Sequence, residues 1–262
     1  MYKVAMRNLN PWMLLLVMIC ASGSASAQSL PASATRQIAA DRLFVLTNEA
    51  RVSAGLPQLK WDPILANAAM GHCARMVTEG PLSHRYDGEP DLTARAGLAG
   101  AHFSIVEENI AVGPNPEIIH QGWLDSSEHR ANLLNPAIDR VGIAVVASGE
   151  LIFAVADYEL AVPVMTQTEV EAAFAQLLRA RQIMVLKDTN EARAYCASST
   201  RYSGSEPPSF LLRWQNPDVT QLPELLVEQL ETGRYHRAAV GSCVPQDVNG
   251  AFTVYRVAVL LY

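Results

Sequence analysis

The chain of 262 residues has no concentration of basic side chains, its 20 lysines and arginines facing 26 aspartates and glutamates. A phosphate backbone repels such a balance unless a basic patch gathers somewhere, so nucleic acid is not an expected partner. Glycine and proline, 15 of each, stand at ordinary levels and exclude collagen-like and low-complexity classes. The one marked apolar run near the amino terminus, Trp12 to Ala21, is too short to cross about 30 Å of hydrocarbon as a helix, and no other stretch is long enough. Two hydrolase signatures are absent as well: there is no Gly-x-Ser-x-Gly elbow and no His-Glu-x-x-His helix. What is present suits a globular protein. Half of the residues are hydrophobic and 18% are charged, enough for one large domain or two modest ones with a sizeable core.

Residues 1–27 read as a secretory signal, with Lys3 and Arg7 as a cationic start, the apolar run, and Ala25-Ser26-Ala27 as a small-residue cleavage site. A lipoprotein reading would use Cys20, but Ile19 stands where a small residue is needed. Cleavage after Ala27 leaves 235 residues in an extracellular or periplasmic setting, with 18 basic against 26 acidic side chains and no stable membrane span. Of the four cysteines, Cys73, Cys196 and Cys243 then remain. Cys196 and Cys243 both lie in the carboxy-terminal third and form the candidate disulfide in an oxidising compartment. Cys73 falls on the apolar side of a helix, where a free thiol behaves as a small hydrophobe.

Apolar spacing predicts a helix over residues 36–54, stopped by Gly55 and Pro57. Asp62-Pro63 and Asn115-Pro116 each pair an N-cap with a first-turn proline and open two further helices. A short helical piece is expected near Leu92 to Ala96, followed by a loop to Glu107. Val141 to Val146 and Leu151 to Tyr158, joined by Ser148-Gly149-Glu150, predict a β-hairpin. Pro163 marks a boundary between residues 36–162 and 163–262. The second region reads as a helix over 168–182, an ambiguous stretch from Val185 to Ala197, a strand over 210–214, a helix over 223–231 and strands over 237–244 and 253–262. The class is α+β. Val240-Gly241 echoes Val141-Gly142, so residues 163–262 read either as a decayed repeat of the end of the first region or as a generic α+β layout.

Five of the six histidines lie between His72 and His129, which confines imidazole chemistry to the first region. His72 sits among apolar neighbours and reads as a structural residue. His84, in Leu82-Ser83-His84, and His129, which opens His129-Arg130, join Glu108 as the candidate constellation. Two imidazoles and a carboxylate are enough to hold a divalent ion with open positions for water, or to act as an acid/base pair.

These residues belong to a longer series. Asn48-Glu49-Ala50-Arg51, Gly55-Leu56-Pro57, Leu59-Lys60-Trp61-Asp62, His72, Met76, Leu82-Ser83-His84, Arg95, Glu108-Asn109-Ile110-Ala111, Trp123, His129 to Pro136 and Val141-Gly142-Ile143-Ala144 follow one another in order. The series resembles the CAP superfamily of cysteine-rich secretory, antigen 5 and pathogenesis-related class 1 proteins, in its short bacterial form. That resemblance implies an α–β–α sandwich over 36–162, followed here by a smaller α+β domain. It implies a cleft in which His84 and His129 bind Zn2+ or Mg2+ beside Glu108, with no organic cofactor. The family's second acid would stand at Ser126; Asp125 is the nearest substitute, and Glu128 either supplies the charge or complements the dipole of a helix start. Implied activities are binding of a lipid or sterol-like molecule or a metal-assisted, peptidase-like hydrolysis; a non-catalytic extracellular scaffold with a protein partner is the third reading. With no activated nucleophile in view, binding is expected ahead of catalysis.

Overall fold

Proline and its capping neighbours set the helix starts of the first half. The computed structural model describes residues 32–198, 201–246 and 251–262; the expected leader, 1–27, lies outside them. After α1 (Ala32–Ser53) and the short β1 (Lys60–Trp61), Asp62 accepts hydrogen bonds from the Ile64 and Leu65 amides and Pro63 begins α2 (Pro63–Glu79). Proline costs nothing there, because the amide it lacks would have had no helical partner. Next come α3 (Leu92–Ala99), β2 (Phe103–Gly113), α4 (Pro116–Asp125) capped by Asn115, α5 (Ser127–Leu133), β3 (Arg140–Ser148) and β4 (Leu151–Ala161). The hairpin β3–β4 turns at Gly149, whose φ of +61° suits glycine.

The strands form a sheet of order β1-β3-β4-β2, parallel between β1 and β3 and antiparallel elsewhere. Leu43 of α1 and Ile119 and Trp123 of α4 share one core with Ile143, Val145 and Tyr158, while Ala69, Cys73 and Met76 of α2 pack on Ile110, Ala144 and Val155 from the opposite face. The result is an α–β–α sandwich. Arg51, wholly buried, ties α1 to two loops by donating to the carbonyls of Pro57, Leu133 and Asn135.

The second half runs α6 (Gln167–Arg179), β5 (Met184–Val185), α7 (Asn190–Ala197), β6 (Phe210–Asn216), α8 (Glu224–Glu231), β7 (Arg237–Cys243) and β8 (Tyr255–Leu261). A capping box between Thr166 and Glu169 starts α6. Its sheet has the order β5-β7-β8-β6, again parallel only in its first pair. Val170, Phe174 and Leu178 of α6 and Leu226 and Leu230 of α8 cover one face, and Ala192 and Cys196 of α7 the other. Cys196 and Cys243 are joined by a disulfide. Everything from Ala32 to Tyr262 packs as one unit, joined where Phe103 meets Phe252 at 5.4 Å and its carbonyl accepts from the Thr253 amide. No described helix is long and apolar enough to cross a membrane.

Two stretches differ from expectation. The approach to Glu107 is not loop: residues 103–113 form an edge strand paired only with β4, whose paired carboxylates Glu107-Glu108 break the apolar alternation that normally announces a strand. The ambiguous stretch from Val185 to Ala197 resolves into the end of β5 and the helix α7.

Two glycines set the helix–sheet distance. A Cβ on Gly142 would lie 2.0 Å from the Ala66 amide nitrogen, and one on Gly241 would lie 2.2 Å from that of Arg193. Gly142→Ala and Gly241→Ala are each expected to lower unfolding stability by about 3 kcal/mol in urea titrations, because the obstacle is helix backbone and cannot rotate aside; a loss under about 0.5 kcal/mol would show that the helices are not held this close.

Candidate functional site

Glu108 sits opposite Asp157 in the β2–β4 ladder, so both side chains leave the sheet on the face that α2 covers. The Glu108 side chain is 3% exposed and that of His84 is 59% exposed, which makes the first the floor and the second the rim of the site. Oε1 of Glu108 accepts from Nδ1 of His84 at 2.8 Å, and Oε2 accepts from Nη2 of Arg95. A carboxylate only accepts, so His84 carries its proton on Nδ1, and the neutral ring keeps its lone pair on Nε2. Arg95 also donates to the carbonyls of His84 and Pro90, locking the His84 loop to α3. Beneath lies a second pair: His72, on α2 and wholly buried, donates from Nδ1 to Glu89 at 2.8 Å, and its Nε2 lies 3.9 Å from Glu108, beyond hydrogen-bond range.

His129 comes from α5, which two asparagines fasten to β2. Asn109 donates to the His129 carbonyl at 2.9 Å, and Asn132 donates to the Glu108 carbonyl at 3.1 Å and to Oδ1 of Asn109 at 3.0 Å. Ser126 caps α5 by accepting from the His129 amide. The two imidazoles lie close enough for charge on His84 to lower the pKa of His129. Their environments push them apart: the hydrogen bond to Glu108 raises His84, whereas burial, reinforced by His84, lowers His129. Glu128, in the first turn of α5, raises both. Asp125 is not among the charges acting on either ring; it is exposed and accepts from Gln121 one helical turn earlier. Among the described residues no group of three or more His, Cys, Asp or Glu side chains converges as a ready metal cage.

Sequence reasoning missed Asp157. Its carboxyl is fully buried, and neither oxygen meets a hydrogen-bond donor among the described residues. Burial first, then the charge of Glu108, raise its pKa well above the ordinary value. The available signal was an acid inside the apolar run Leu151 to Tyr158. Arg95 stood in the family series without a role; its role is to neutralise Glu108. Cys73 is buried, and burial pushes its thiol to about 12, which removes it as a nucleophile.

The layered sheet carries one imidazole, His84, bonded to a buried carboxylate. Residues 44–158 match the family described as CAP, the cysteine-rich secretory protein family, and this part of the chain belongs to it. Over 114 residues the chain is 30% identical to the uncharacterized protein YkwD of Bacillus subtilis (strain 168), covering 42% of this chain and 43% of that one. It is 35% identical over 106 residues to the uncharacterized membrane protein YlbC of the same organism, covering 40% and 30%. The matched stretch thus spans less than half of either relative. Among solved structures, an extracellular protein containing an SCP domain from Bacillus anthracis str. Ames is similar at 29% identity and a TM-score of 0.46, over 50% of this chain and 45% of that one.

Proton titration tests the site directly. In the metal-free protein, NMR is expected to place the His84 midpoint above 6.5 and that of His129 below it. Glu108→Gln removes the ionic acceptor and brings His84 back toward 6.5; an unmoved midpoint would show that the contact does not govern it. Asp157 gives a second test. Its folded pKa lies above the unfolded value of 3.8, so the folded state holds the extra proton and loses stability as pH rises through the folded value. Unfolding measured from about pH 4 to about pH 8 should lose that slope in Asp157→Asn, whose amide cannot ionise. An unchanged slope would mean that Asp157 is already ionised.

Proposed function

We propose that the CAP domain is an extracytoplasmic binding module that holds a divalent ion through Nε2 of His84 and through His129, with Glu108 as the group that orients His84. The observation that carries this reading is the Nδ1–H bond from His84 to a carboxylate neutralised by Arg95. Metal-binding histidines characteristically give their second ring proton to a carboxylate, which fixes the tautomer and raises the basicity of the ligating nitrogen. Glu108 itself is committed to two donors and serves better as an orienting group than as a ligand. Zn2+ suits imidazole nitrogen better than Mg2+, a hard cation that prefers oxygen. Such an ion would supply Lewis acidity and polarised water. A leader over residues 1–27, cleaved after Ala27, would place the module outside the cytoplasm, extracellular or periplasmic.

Binding is favoured over hydrolysis by the side chains around the imidazoles. Cys73 is inert and Glu108 already carries two hydrogen bonds, so neither offers a nucleophile or an unencumbered base. A small apolar ligand, the other activity the resemblance implies, finds apolar walls elsewhere than at His84 and His129: hollows of about 300 and 330 Å³ are lined mostly by the second half, both by Met165 and Tyr255, with His102 at the first.

Calorimetric titration of the metal-free protein with Zn2+ near neutral pH tests the reading. One ion per chain is expected, His84→Ala and His129→Ala each weakening it, and Glu108→Gln weakening it about 10- to 100-fold. Because protons compete for imidazole, affinity should fall steadily below about pH 6. Equal uptake by the double His variant, or affinity flat to about pH 4, would overturn the assignment.

A further inference from the structure

Helix α3 carries Arg95 on one side and meets the second half of the chain on the other. At 8 residues it is too short for its own hydrogen bonds to hold it, so its position is set by what packs against it. Arg95 reaches from it to the Glu108 carboxylate and to the carbonyls of His84 and Pro90. Two residues on, and therefore across the helix axis, Gly97 meets Ala251. A Cβ at Gly97 would lie 2.2 Å from the Ala251 Cβ, so the two segments come this close only because glycine stands there. Beside it, the wholly buried Ala96 joins Leu65, Ala101 and Phe103 in an apolar cluster, against which Ala251 and Phe252 pack.

The segment that makes this contact is itself fixed. Phe252 meets the Phe103 ring edge-on, with centroids 5.4 Å apart, and the Thr253 amide donates to the Phe103 carbonyl at 2.8 Å. Oγ1 of Thr253 lies 3.3 Å from Nδ1 of His102. The chain then enters β8, which pairs with β7 on one side and β6 on the other. Residues 251–253 thus tie the second sheet to two places in the CAP domain, the last turn of α3 and the first residues of β2. Those two elements carry the two members of one buried ion pair, Arg95 on α3 and Glu108 on β2. The spacing of that pair, and with it the seat of the His84 loop, therefore depends on a segment of the second half.

We propose that residues 251–253 are a clamp through which the second half sets Arg95 against Glu108 and the His84 loop, with Gly97, Ala251 and Phe252 as positioning residues of the imidazole site. The clamp stands on packing alone; only its effect on metal rests on the Zn2+ reading above. Gly97→Ala forces it open, because the added Cβ overlaps Ala251, although alanine is the better helix former. Moving the methyl group across the contact, in the double variant Gly97→Ala with Ala251→Gly, relieves the overlap: a Cβ at position 97 lies 3.6 Å from the Cα of residue 251, an ordinary contact. The first readout is the nitrogen-15 NMR of the His84 ring in the metal-free whole chain at about pH 9, where imidazole is neutral. The parent is expected to show the proton on Nδ1; Gly97→Ala and Phe252→Ala should move toward the tautomer mixture of a free imidazole, and the double variant should return to the parent. Amide exchange over α3 should quicken at least about 10-fold in the two single variants and recover in the double. Zn2+ affinity by calorimetry should fall at least about 10-fold and recover in the same order. Parent-like ring shifts and exchange in Gly97→Ala overturn the clamp, as does a double variant left as disturbed as the single one. A parent chain that takes no Zn2+ overturns the metal reading instead, and the ring shifts and exchange then decide the clamp.

Discussion

A carboxylate placed under a sheet must be compensated, and much of the CAP domain's polar architecture is organised around compensating Glu108. Arg95 reaches it from α3, His84 from the loop beyond α2, and the buried carboxyl of Asp157 lies opposite it on β4. Leaving a buried charge without such partners costs several kcal/mol, which is why elements distant in sequence are held to one another here. The same arrangement serves chemistry. It presents an exposed imidazole in a fixed tautomer, whose charge helps to lower the basicity of a second imidazole, His129.

The two halves solve one packing problem with different side chains. Each lets a helix approach its sheet at a glycine, and each covers the opposite face with two helices. They part where the first invests in chemistry. With Gly142 set against Gly241, Glu108 and Asp157 correspond to Arg213 and Ala258, so the buried acids of one half have no counterpart in the other. Where the first half packs Ala69 on Ala144, the second carries a disulfide, which ties a much shorter helix to its strand. By the loop-closure account, a bridge spanning 47 residues contributes about 4 kcal/mol, ample to hold an eight-residue helix that propensity alone would leave frayed.

Most elements were legible in the chain because their signals are local. Asp62-Pro63 and Asn115-Pro116 announce helix starts through side chains that cap amides two or three residues on, and Ser148-Gly149-Glu150 announces a turn through a positive φ. The strand over 103–113 was illegible for the same reason. Its carboxylates at 107 and 108 are tolerable only because Asn135, Arg95 and His84 arrive from elsewhere to meet them. Ser126 shows the reverse case: counted as the place of a missing acid, it has a local task in capping α5.

The sequence by itself determined the helix caps, the hairpin and the small set of imidazoles and acids from which a site could be drawn. Only the tertiary structure decided that Glu108 meets Arg95, 13 residues before it, and His84, 24 residues before it, and that Asp157 is buried as an acid. The reason is range. Capping and turn energies act within one turn of chain and leave a readable pattern, whereas the energy of a buried charge depends on groups that only folding brings within reach.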